Sequence, residues 1–216
     1  MDNKKYIALV SGGMDSTTLL YEYKHLIRAA LYIDYASKHK EKEHAFAELH
    51  AKKNGIEFIK ANLQDVAQYL KSNLIKNQGD IPDGHYTDLI MRKTVVPFRN
   101  GIMISIAAGI AESLEAKGVL LANHAGDHAI YPDCRNEFIS KMAAAICSGT
   151  YAKIELIAPY TNITKRDIAL KGMKLHIPYE LTWSCYKGKD IHCGTCGTCV
   201  ERKEALAGFD TTQYQA

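Results

Sequence analysis

Residues 9–20, LVSGGMDSTTLL, place a glycine pair and several hydroxyls between an apolar run and an amphipathic one. The glycines allow a tight turn and close backbone approach to a ligand, and Ser11, Ser16 and Thr17 add hydrogen-bond donors. Between a strand and a helix, such a loop directs backbone N–H groups and the helix dipole towards an anion. It lacks the lysine of a Walker loop. The pattern predicts a polyphosphate site; the alternative is an ordinary turn with Asp15 or Ser16 as helix cap.

A second candidate for chemistry is the cysteine array CYKGKDIHCGTCGTC, which contains Cys185, Cys193, Cys196 and Cys199. Cys-x2-Cys steps allow two thiolates to face one ion from a tight turn. Four thiolates suit a closed tetrahedral zinc site, which is structural because no position is left for water. A redox pair and an iron–sulfur cluster are the alternatives, since similar spacings occur in both. His192 adjoins the array, but four cysteines make it unnecessary as a ligand.

Zinc ribbons can also bind nucleic acid, so the charges around this array matter. Basic and acidic residues are mixed there: Lys187, Lys189, Arg202 and Lys203 accompany Asp190, Glu201 and Glu204. The mixture favours a clip that stabilises the fold over a nucleic-acid surface. A further cysteine, Cys147, lies in an apolar helical stretch and is expected to pack in the core.

Short apolar runs alternate with helical patterns, which predicts a doubly wound, mostly parallel five-stranded α/β sheet. The predicted strands are 6–10, 29–36, 56–63, 118–125 and 154–160, and the predicted helices are 16–25, 38–53, 65–75, 99–117, 133–148 and 164–175. Asp65 and Thr164 are candidate helix caps. The irregular stretch 76–94 is too long for a tight connection and is expected to form a lid or binding loop.

Polar stretches follow four of the predicted strands. In parallel sheets, ligands bind outside the carboxyl ends of the strands. We therefore expect residues 11–16, 34–39, 123–127 and 159–162 to meet at one edge of the sheet. Residues 1–178 are predicted to form the nucleotide-binding and catalytic domain, with 179–216 as a small zinc-binding segment packed on it.

Composition narrows the class of partner. The 216 residues are 47% hydrophobic and 24% charged, with a net charge of +3. A net charge of +3 is too small to indicate a nucleic-acid-binding protein, but it is compatible with binding of anionic small molecules. The N-terminal residues do not resemble a signal peptide, and no apolar run approaches the roughly 18 residues of a membrane span. The expectation is a cytoplasmic protein that binds neither membrane nor nucleic acid.

The loop SGGMDS resembles the signature of the PP-loop, or N-type, ATP pyrophosphatases, a Rossmann-like superfamily that adenylates an oxygen of its substrate. VPFRN (96–100), YPDCRNEF (131–138) and SCYKGKDIHCGTCGTC (184–199) match a narrower group in order and approximate spacing. With the loop, they resemble the 7-cyano-7-deazaguanine synthases of queuosine biosynthesis over nearly the whole chain.

The resemblance implies a reaction. ATP would adenylate the carboxylate of 7-carboxy-7-deazaguanine, ammonia would displace AMP to give the amide, and a second activation would lead to the nitrile. ATP, Mg²⁺ and Zn²⁺ are the implied cofactors, and a homodimer is the implied assembly. The alternative within the family is conjugation of a deazaguanine to the amine of a protein acceptor in antiviral defence. Other PP-loop enzymes and a non-catalytic zinc-ribbon module are less well supported.

Site residues follow from the resemblance position by position. The implied catalytic residues are Asp15, Ser16, Arg99 and Lys165. The implied ATP-binding residues are Val10, Ser11, Gly12, Gly13, Met14, Asp15, Ser16, Thr17, Thr18, Leu19, Leu20 and Asn100. The implied deazaguanine pocket contains Tyr131, Asp133, Cys134 and Arg135, and the implied zinc ligands are Cys185, Cys193, Cys196 and Cys199. His124 and His128 are four residues apart, a spacing at which both could bind one metal ion, but their position in a loop favours a hydrogen-bonding role.

Two departures from the family pattern fall near the expected site. Many members carry Y-G-Q-x-H after the second strand, where this chain has YASKH with Ala36 in place of the glycine. The glycine of the family's P-G-R-N motif is replaced by Phe98. A third departure is the seven-residue spacing between the first two cysteines of the array, where other members have eight.

Overall fold

The computed structural model describes residues 5–85 and 89–215. Its strands are β1 (Tyr6–Leu9), β2 (Ile27–Asp34), β3 (Glu57–Asn62), β4 (Gly118–Leu120) and β5 (Glu155–Ile157). Its α-helices are α1 (Met14–Glu22), α2 (Lys40–Lys53), α3 (Gln64–Ala67), α4 (Arg99–Ser113), α5 (Asn136–Gly149), α6 (Lys165–Lys174) and α7 (Gly197–Ala205). Residues 86–88, which belong to the predicted loop 76–94, lie outside the described ranges.

The described strands form one parallel sheet in the order β3-β2-β1-β4-β5. This confirms the prediction of a doubly wound, five-stranded α/β fold. The chain builds β1 to β3 in one direction and then returns to place β4 on the other side of β1. Ligand sites of open α/β sheets lie where the strand order reverses. The topology therefore favours the loops that follow β1 and β4.

Both faces of the sheet are covered by helices, because successive residues of a buried strand point to opposite sides. Tyr6 and Ala8 of β1 belong to the core that includes Leu19 of α1. Ile7, between them, belongs to the opposite core, which includes Ile104 of α4. This arrangement explains why β1 is a continuous apolar run and fixes the loop that follows it against a rigid sheet.

The predicted helix 65–75 is wrong, because α3 ends at Ala67. Side chains after Ala67 form hydrogen bonds with the backbone, and these compete with the hydrogen bonds of a continued helix. Ser72 Oγ accepts the N–H of Leu74 at 3.1 Å, and Gln78 Oε1 accepts the N–H of Ser72 at 3.0 Å. The segment instead runs as turns beneath the cysteine array.

Helix starts were predicted with mixed success. Thr164 caps α6 in a reciprocal arrangement, accepting the Asp167 N–H at 3.1 Å while Asp167 Oδ2 accepts the Thr164 N–H at 2.9 Å. Asp65, in contrast, lies inside the first turn of α3, whose N-cap position is Leu63. Helix 133–148 was predicted to begin too early, since Pro132–Cys134 forms a separate 3-10 turn.

The prediction that Cys147 packs in the core is wrong, since this cysteine is exposed. In α5 the buried residues are Ile139 and Ile146, which face the sheet. Each helical residue is rotated by about 100° from the one before it. The residue after Ile146 therefore turns away from the core.

By length and composition alone, the stretch Met91–Ser113 would pass for a membrane-crossing helix. It is interrupted before α4 by Pro97 and by Phe98, whose φ of 52° is left-handed. Within α4, Ile104 and Ala107 pack into the core beneath the sheet. The stretch is therefore a core helix together with the segment that leads into it.

The cysteine-bearing segment packs against loops of the sheet domain. Its Trp183 and four cysteines share an apolar cluster with Tyr35, Leu74 and Val96. The backbone N–H of Trp183 also donates to the carbonyl of Gly12 at 2.9 Å, which ties the segment to the glycine loop. The proposed division at residue 178 stays a prediction.

Candidate active site

A cavity of about 210 Å³ opens at the carboxyl ends of β1, β2 and β4. The loop after β1 forms one wall, and residues that include His39 and Asn123 form others. Three of the four polar stretches predicted to converge here therefore line it. The fourth, 159–162, supports the wall instead, because Thr161 Oγ1 donates to Asn123 Oδ1 at 3.4 Å.

The glycine loop presents an uncapped helix start to this cavity. The N-cap of α1 is Gly13, which has no side chain to accept a first-turn N–H. The loop is closed by its serines, because the Ser11 N–H donates to Ser16 Oγ at 3.1 Å and the two hydroxyls lie 3.2 Å apart. Uncapped first-turn amides next to hydroxyl donors form an anion site.

Gly12 turns the loop where no larger residue fits. Its φ is +69°, and a Cβ there would lie 2.5 Å from the carbonyl oxygen of Glu43 and 2.8 Å from the backbone nitrogen of Ala47. The loop thus lies directly on the backbone of α2. The glycine is required by both its conformation and its surroundings.

Replacing Gly12 by alanine is expected to lower the free energy of unfolding by at least about 2 kcal/mol, because left-handed strain and overpacking each cost about 1 kcal/mol or more. Urea denaturation measures this change. Gly55→Ala is the matched control, since its φ is +63° and nothing lies within 4 Å of the added carbon. The control should cost only about 1 kcal/mol; equal losses in the two variants would contradict the packing argument.

Charged side chains cluster where α1 begins. Lys165 Nζ lies 3.3 Å from Asp15 Oδ2 and 2.8 Å from Glu201 Oε2, and its side chain is 13% exposed. Burial alone would lower the pKa of Lys165, but the carboxylates of Asp15, Glu201 and Asp127 outweigh it and raise the pKa above its ordinary value. The lysine therefore stays protonated beside the loop. It supplies from α6 the positive charge that the loop itself lacks.

His124 completes this cluster from the loop after β4. Its Nε2 lies 3.8 Å from Asp15 Oδ2 and 3.7 Å from Asp127 Oδ1, while Nδ1 accepts the Gly126 N–H at 3.1 Å. The ring is thereby engaged on both sides. His124 is a hydrogen-bonding histidine here, and nothing in its contacts pairs it with His128.

Arg99 forms the opposite wall with aromatic residues. Its guanidinium lies 5.5 Å from the ring centre of Tyr35 and 5.8 Å from that of Tyr131, and Nη1 donates to the Tyr35 hydroxyl at 3.2 Å. Tyr186 closes the group, with its hydroxyl 3.4 Å from that of Tyr131. A fixed guanidinium among aromatic faces suits an anionic, planar ligand.

Asp133 holds the start of α4 in place. Its Oδ2 accepts the backbone N–H of Asn100 at 2.8 Å, at a helix that has no capping side chain of its own at the N-cap. The side chain of Asn100 in turn donates to Cys134 Sγ at 3.0 Å. Burial raises the pKa of Cys134 well above its ordinary value, so the sulfur stays a thiol.

The structure brings most of the predicted site residues to the cavity. Those that line it are Val10, Ser11, Gly13, Met14, Asp15, Ser16, Arg99, Asn100, Tyr131, Cys134 and Lys165. Those that do not are Gly12, Thr17, Thr18, Leu19, Leu20, Asp133 and Arg135. Leu19 and Leu20 are core residues because their face of α1 packs on the sheet. Arg135 is exposed, and its Nε donates to the carbonyl of His128 at 2.9 Å.

Several lining residues were not predicted as site residues. They are Leu9, Tyr32, Ile33, Tyr35, His39, Glu43, Met103, Leu121, Ala122, Asn123, Asp127, Trp183, Ser184, Tyr186 and Thr198. Those after β2 and β4 lie in or beside stretches that the strand-end rule had marked, so the signal was present. Ser184, Tyr186 and Thr198 lie in the family-matching stretch 184–199, but that stretch indicated only a metal site.

The four cysteines of the array form one cluster. Their sulfurs lie within 4.8 Å of one another, all four residues are buried, and Cys193 Sγ lies 3.9 Å from Cys199 Sγ. Zinc–sulfur bonds of about 2.3 Å in a tetrahedron separate the sulfurs by about 3.8 Å, so the donor set fits zinc. His192 stands apart, since its Nε2 accepts the Ser184 N–H at 3.2 Å.

Comparison with known proteins agrees with this geometry. The family model described as queuosine biosynthesis protein QueC matches residues 5–210. The chain belongs to this family. The 7-cyano-7-deazaguanine synthase of Porphyromonas gingivalis is 54% identical over 215 residues, covering 98% of each chain. That of Brucella ovis is 45% identical over 219 residues, covering 98% of this chain and 94% of the relative.

The fold is shared more widely than the family. The solved structure of an NMN synthetase from Francisella tularensis superposes with a TM-score of 0.51, covering 99% of this chain and 80% of that one, at 10% sequence identity. At that identity the likeness concerns the fold alone.

Both departures from the QueC pattern near the site keep the backbone of a glycine. Ala36 has φ 59° and Phe98 has φ 52°, in the left-handed region that favours glycine. The ring of Phe98 is accommodated by Gly101, where a Cβ would meet it. Both positions therefore have a backbone conformation that a glycine would adopt readily.

Proposed function

We propose that this chain is a 7-cyano-7-deazaguanine synthase, an ATP-dependent enzyme that converts 7-carboxy-7-deazaguanine and ammonia to the nitrile. The observation that carries the proposal is one cavity that joins an uncapped helix start to a guanidinium set among tyrosines. The first feature suits a polyphosphate and the second an anionic planar base. The name shared by the curated relatives supports the same substrate and favours the free nitrile over conjugation to a protein.

The two halves of the cavity, the phosphate loop and the wall around Arg99, suit the proposed reaction. A carboxylate oxygen is a poor leaving group until it carries an adenylyl group, and an amide oxygen has the same requirement before it can depart. One phosphate loop therefore serves both activations. Catalysis of adenylyl transfer is mainly positioning and charge stabilisation, for which fixed N–H groups, hydroxyls and cations are sufficient.

Roles follow from position. Ser11, Ser16 and the first-turn amides of α1 hold the pyrophosphate of ATP, and Lys165 stabilises the charge that develops as it departs. Arg99 binds the carboxylate or the adenylate, and Asn100 and Cys134 contribute to the deazaguanine wall. Asp133 fixes the start of α4 through Oδ2, and the base contact that the resemblance implies for it stays a prediction.

Mg²⁺ fits the loop at Asp15. Asp15 Oδ1 is buried without a hydrogen-bond partner among the described residues, and a carboxylate oxygen beside bound phosphates is a ligand that Mg²⁺ prefers. When bound, Mg²⁺ supplies neutralising charge for the leaving pyrophosphate. We further propose a cytoplasmic homodimer that binds neither nucleic acid nor membrane.

The test is direct. Purified protein is incubated with 7-carboxy-7-deazaguanine, ATP, Mg²⁺ and ammonium, and mass spectrometry follows acid, amide and nitrile. Parallel reactions lack ATP or ammonium. ATP-dependent nitrile is the expected product, and its absence together with that of the amide would sink the proposal.

Arg99→Lys is expected to lower kcat/KM for the acid by about 10- to 100-fold, because an ammonium cannot reproduce a planar, bidentate contact among aromatic rings. Steady-state kinetics at saturating ATP measures it. Arg166→Lys is the matched control, since Arg166 donates to the carbonyls of Ala205 and Ala207 outside the cavity. Equal kinetics for Arg99→Lys and the wild type would remove Arg99 from the site.

A further inference from the structure

The cavity wall formed by α2 and the turn before it contains a histidine–carboxylate pair that adenylation does not use. His39 Nε2 lies 3.3 Å from Glu43 Oε1, and Ser37 Oγ donates to Glu43 Oε2 at 3.1 Å. Both His39 and Glu43 line the cavity, and their side chains are 3% and 12% exposed. Because an ionised carboxylate can only accept hydrogen bonds, its position favours the neutral tautomer with the hydrogen on Nε2, in which Nδ1 holds a lone pair.

That lone pair accepts no hydrogen bond from the described residues. Nδ1 of His39 is buried and has no hydrogen-bond partner among the described residues. A buried acceptor left unsatisfied is destabilising, so its presence points to a group that a ligand brings. The ring also lies against Tyr186, with centroids 5.2 Å apart, and Tyr186 is itself a cavity residue. The imidazole thus borders the ligand space with one nitrogen fixed and the other unengaged.

We propose that His39 is the catalytic base that takes protons from the reacting nitrogen, with Glu43 as its positioning residue. This inference rests on the proposed function. His39 is the only histidine among the described residues that line the cavity. The carboxylate of Asp15 lies 3.3 Å from Lys165 Nζ, and that of Asp127 lies 3.7 Å from His124 Nε2, so each already faces a side chain of the protein. An ordinary imidazole is also a stronger base than an ordinary carboxylate by about 2 pKa units.

The proton balance of the reaction requires such a group. When ammonia attacks the acyl adenylate, its lone pair forms the C–N bond, the C–O bond to AMP breaks with its electron pair, and the nitrogen must lose a proton, which Nδ1 accepts. After a second ATP activates the amide oxygen, the nitrogen loses two protons in turn. The electron pairs of those N–H bonds become the additional C–N bonds of the nitrile, and the oxygen leaves with AMP. Between steps, Nδ1 releases each proton to water.

His39→Asn separates this role from adenylation, because its amide keeps a polar group near the position of Nδ1 but cannot take a proton. Two readouts are needed: acid-dependent pyrophosphate formed in the first turnover without ammonium, and amide and nitrile formed at saturating ammonium. We expect the first within about twofold of wild type and the second lowered by about 100-fold, a usual size for loss of a general base. Glu43→Gln should lower kcat by about 10-fold with little change in the KM for ammonium.

His44→Gln, on the same helix, is the matched control, since His44 packs on Tyr32 and Phe58 and does not line the cavity. It should leave both readouts unchanged. Equal losses of pyrophosphate and nitrile in His39→Asn, or full nitrile formation, would overturn the role of His39. Wild-type protein that forms no acid-dependent pyrophosphate would instead overturn the proposed function.

Discussion

Asp15→Asn is expected to lower nitrile formation by at least about 1,000-fold while the protein stays folded. The substitution keeps the shape of the side chain but removes the charge that faces Lys165 and His124. It also replaces one of the two carboxylate oxygens, of which Oδ1 has no hydrogen-bond partner among the described residues and is proposed to bind Mg²⁺. Loss of a single preorganised electrostatic contact costs about 100- to 1,000-fold in other enzymes, and here the proposed ligand of Mg²⁺ is lost with it. Steady-state nitrile formation, with circular dichroism as the check on folding, measures the effect.

Asp65→Asn is the matched control for Asp15→Asn. Asp65 also lies in the first turn of a helix, but it is exposed and does not line the cavity. Its substitution should leave turnover unchanged. An Asp15→Asn enzyme within about tenfold of wild type would mean that the loop holds phosphate through its amides and hydroxyls alone, because the charge would then contribute little.

Cys196→Ser is expected to abolish stoichiometric zinc and to lower the free energy of unfolding by at least about 3 kcal/mol, since a broken site leaves buried thiolates without their cation. For a chain of this size that corresponds to a fall in Tm of about 6–12 °C. Metal analysis of the purified protein and thermal denaturation measure the two effects. The wild type should contain about one zinc per chain.

Cys147→Ser is the control for the zinc prediction, because this cysteine is exposed on α5. It should keep both the metal and the Tm. Wild-type protein that contains iron instead of zinc, or a Cys196→Ser variant that melts with the wild type, would contradict a structural zinc site.

Loss of zinc should also disturb the active site. Trp183, Ser184, Tyr186 and Thr198 line the cavity from the cysteine-bearing segment, and the Trp183 N–H bonds to Gly12 of the glycine loop. A metal site that fixes this segment therefore also fixes one wall of the cavity. The structural clip predicted from the sequence would therefore hold a wall that belongs to the site.

Several features were readable from the sequence because local physical rules determine them. Continuous apolar runs between helical patterns predicted the parallel sheet, and polar residues at strand ends predicted its functional edge. The serine–glycine loop predicted an anion site, since the required backbone turn and hydroxyls are contiguous. The cysteine spacing predicted the ligand set for the same reason. Each of these features depends on residues close together in the chain.

Tertiary structure decided what depends on residues far apart. The loop has no lysine. The resemblance implied Lys165 as a catalytic residue, but only the structure shows that it reaches the loop from α6, about 150 residues further along the chain. The left-handed backbones of Ala36 and Phe98 could not be inferred from residue types that rarely adopt them. The end of α3 at Ala67 reflects side-chain-to-backbone bonds that compete with helix. His39 and Glu43 are four residues apart and pair locally, but Tyr186 reaches the His39 ring only when the cysteine-bearing segment folds against this part of the chain. The sequence alone thus determined the glycine loop and the cysteine ligand set, whereas tertiary packing decided which distant side chains complete the site.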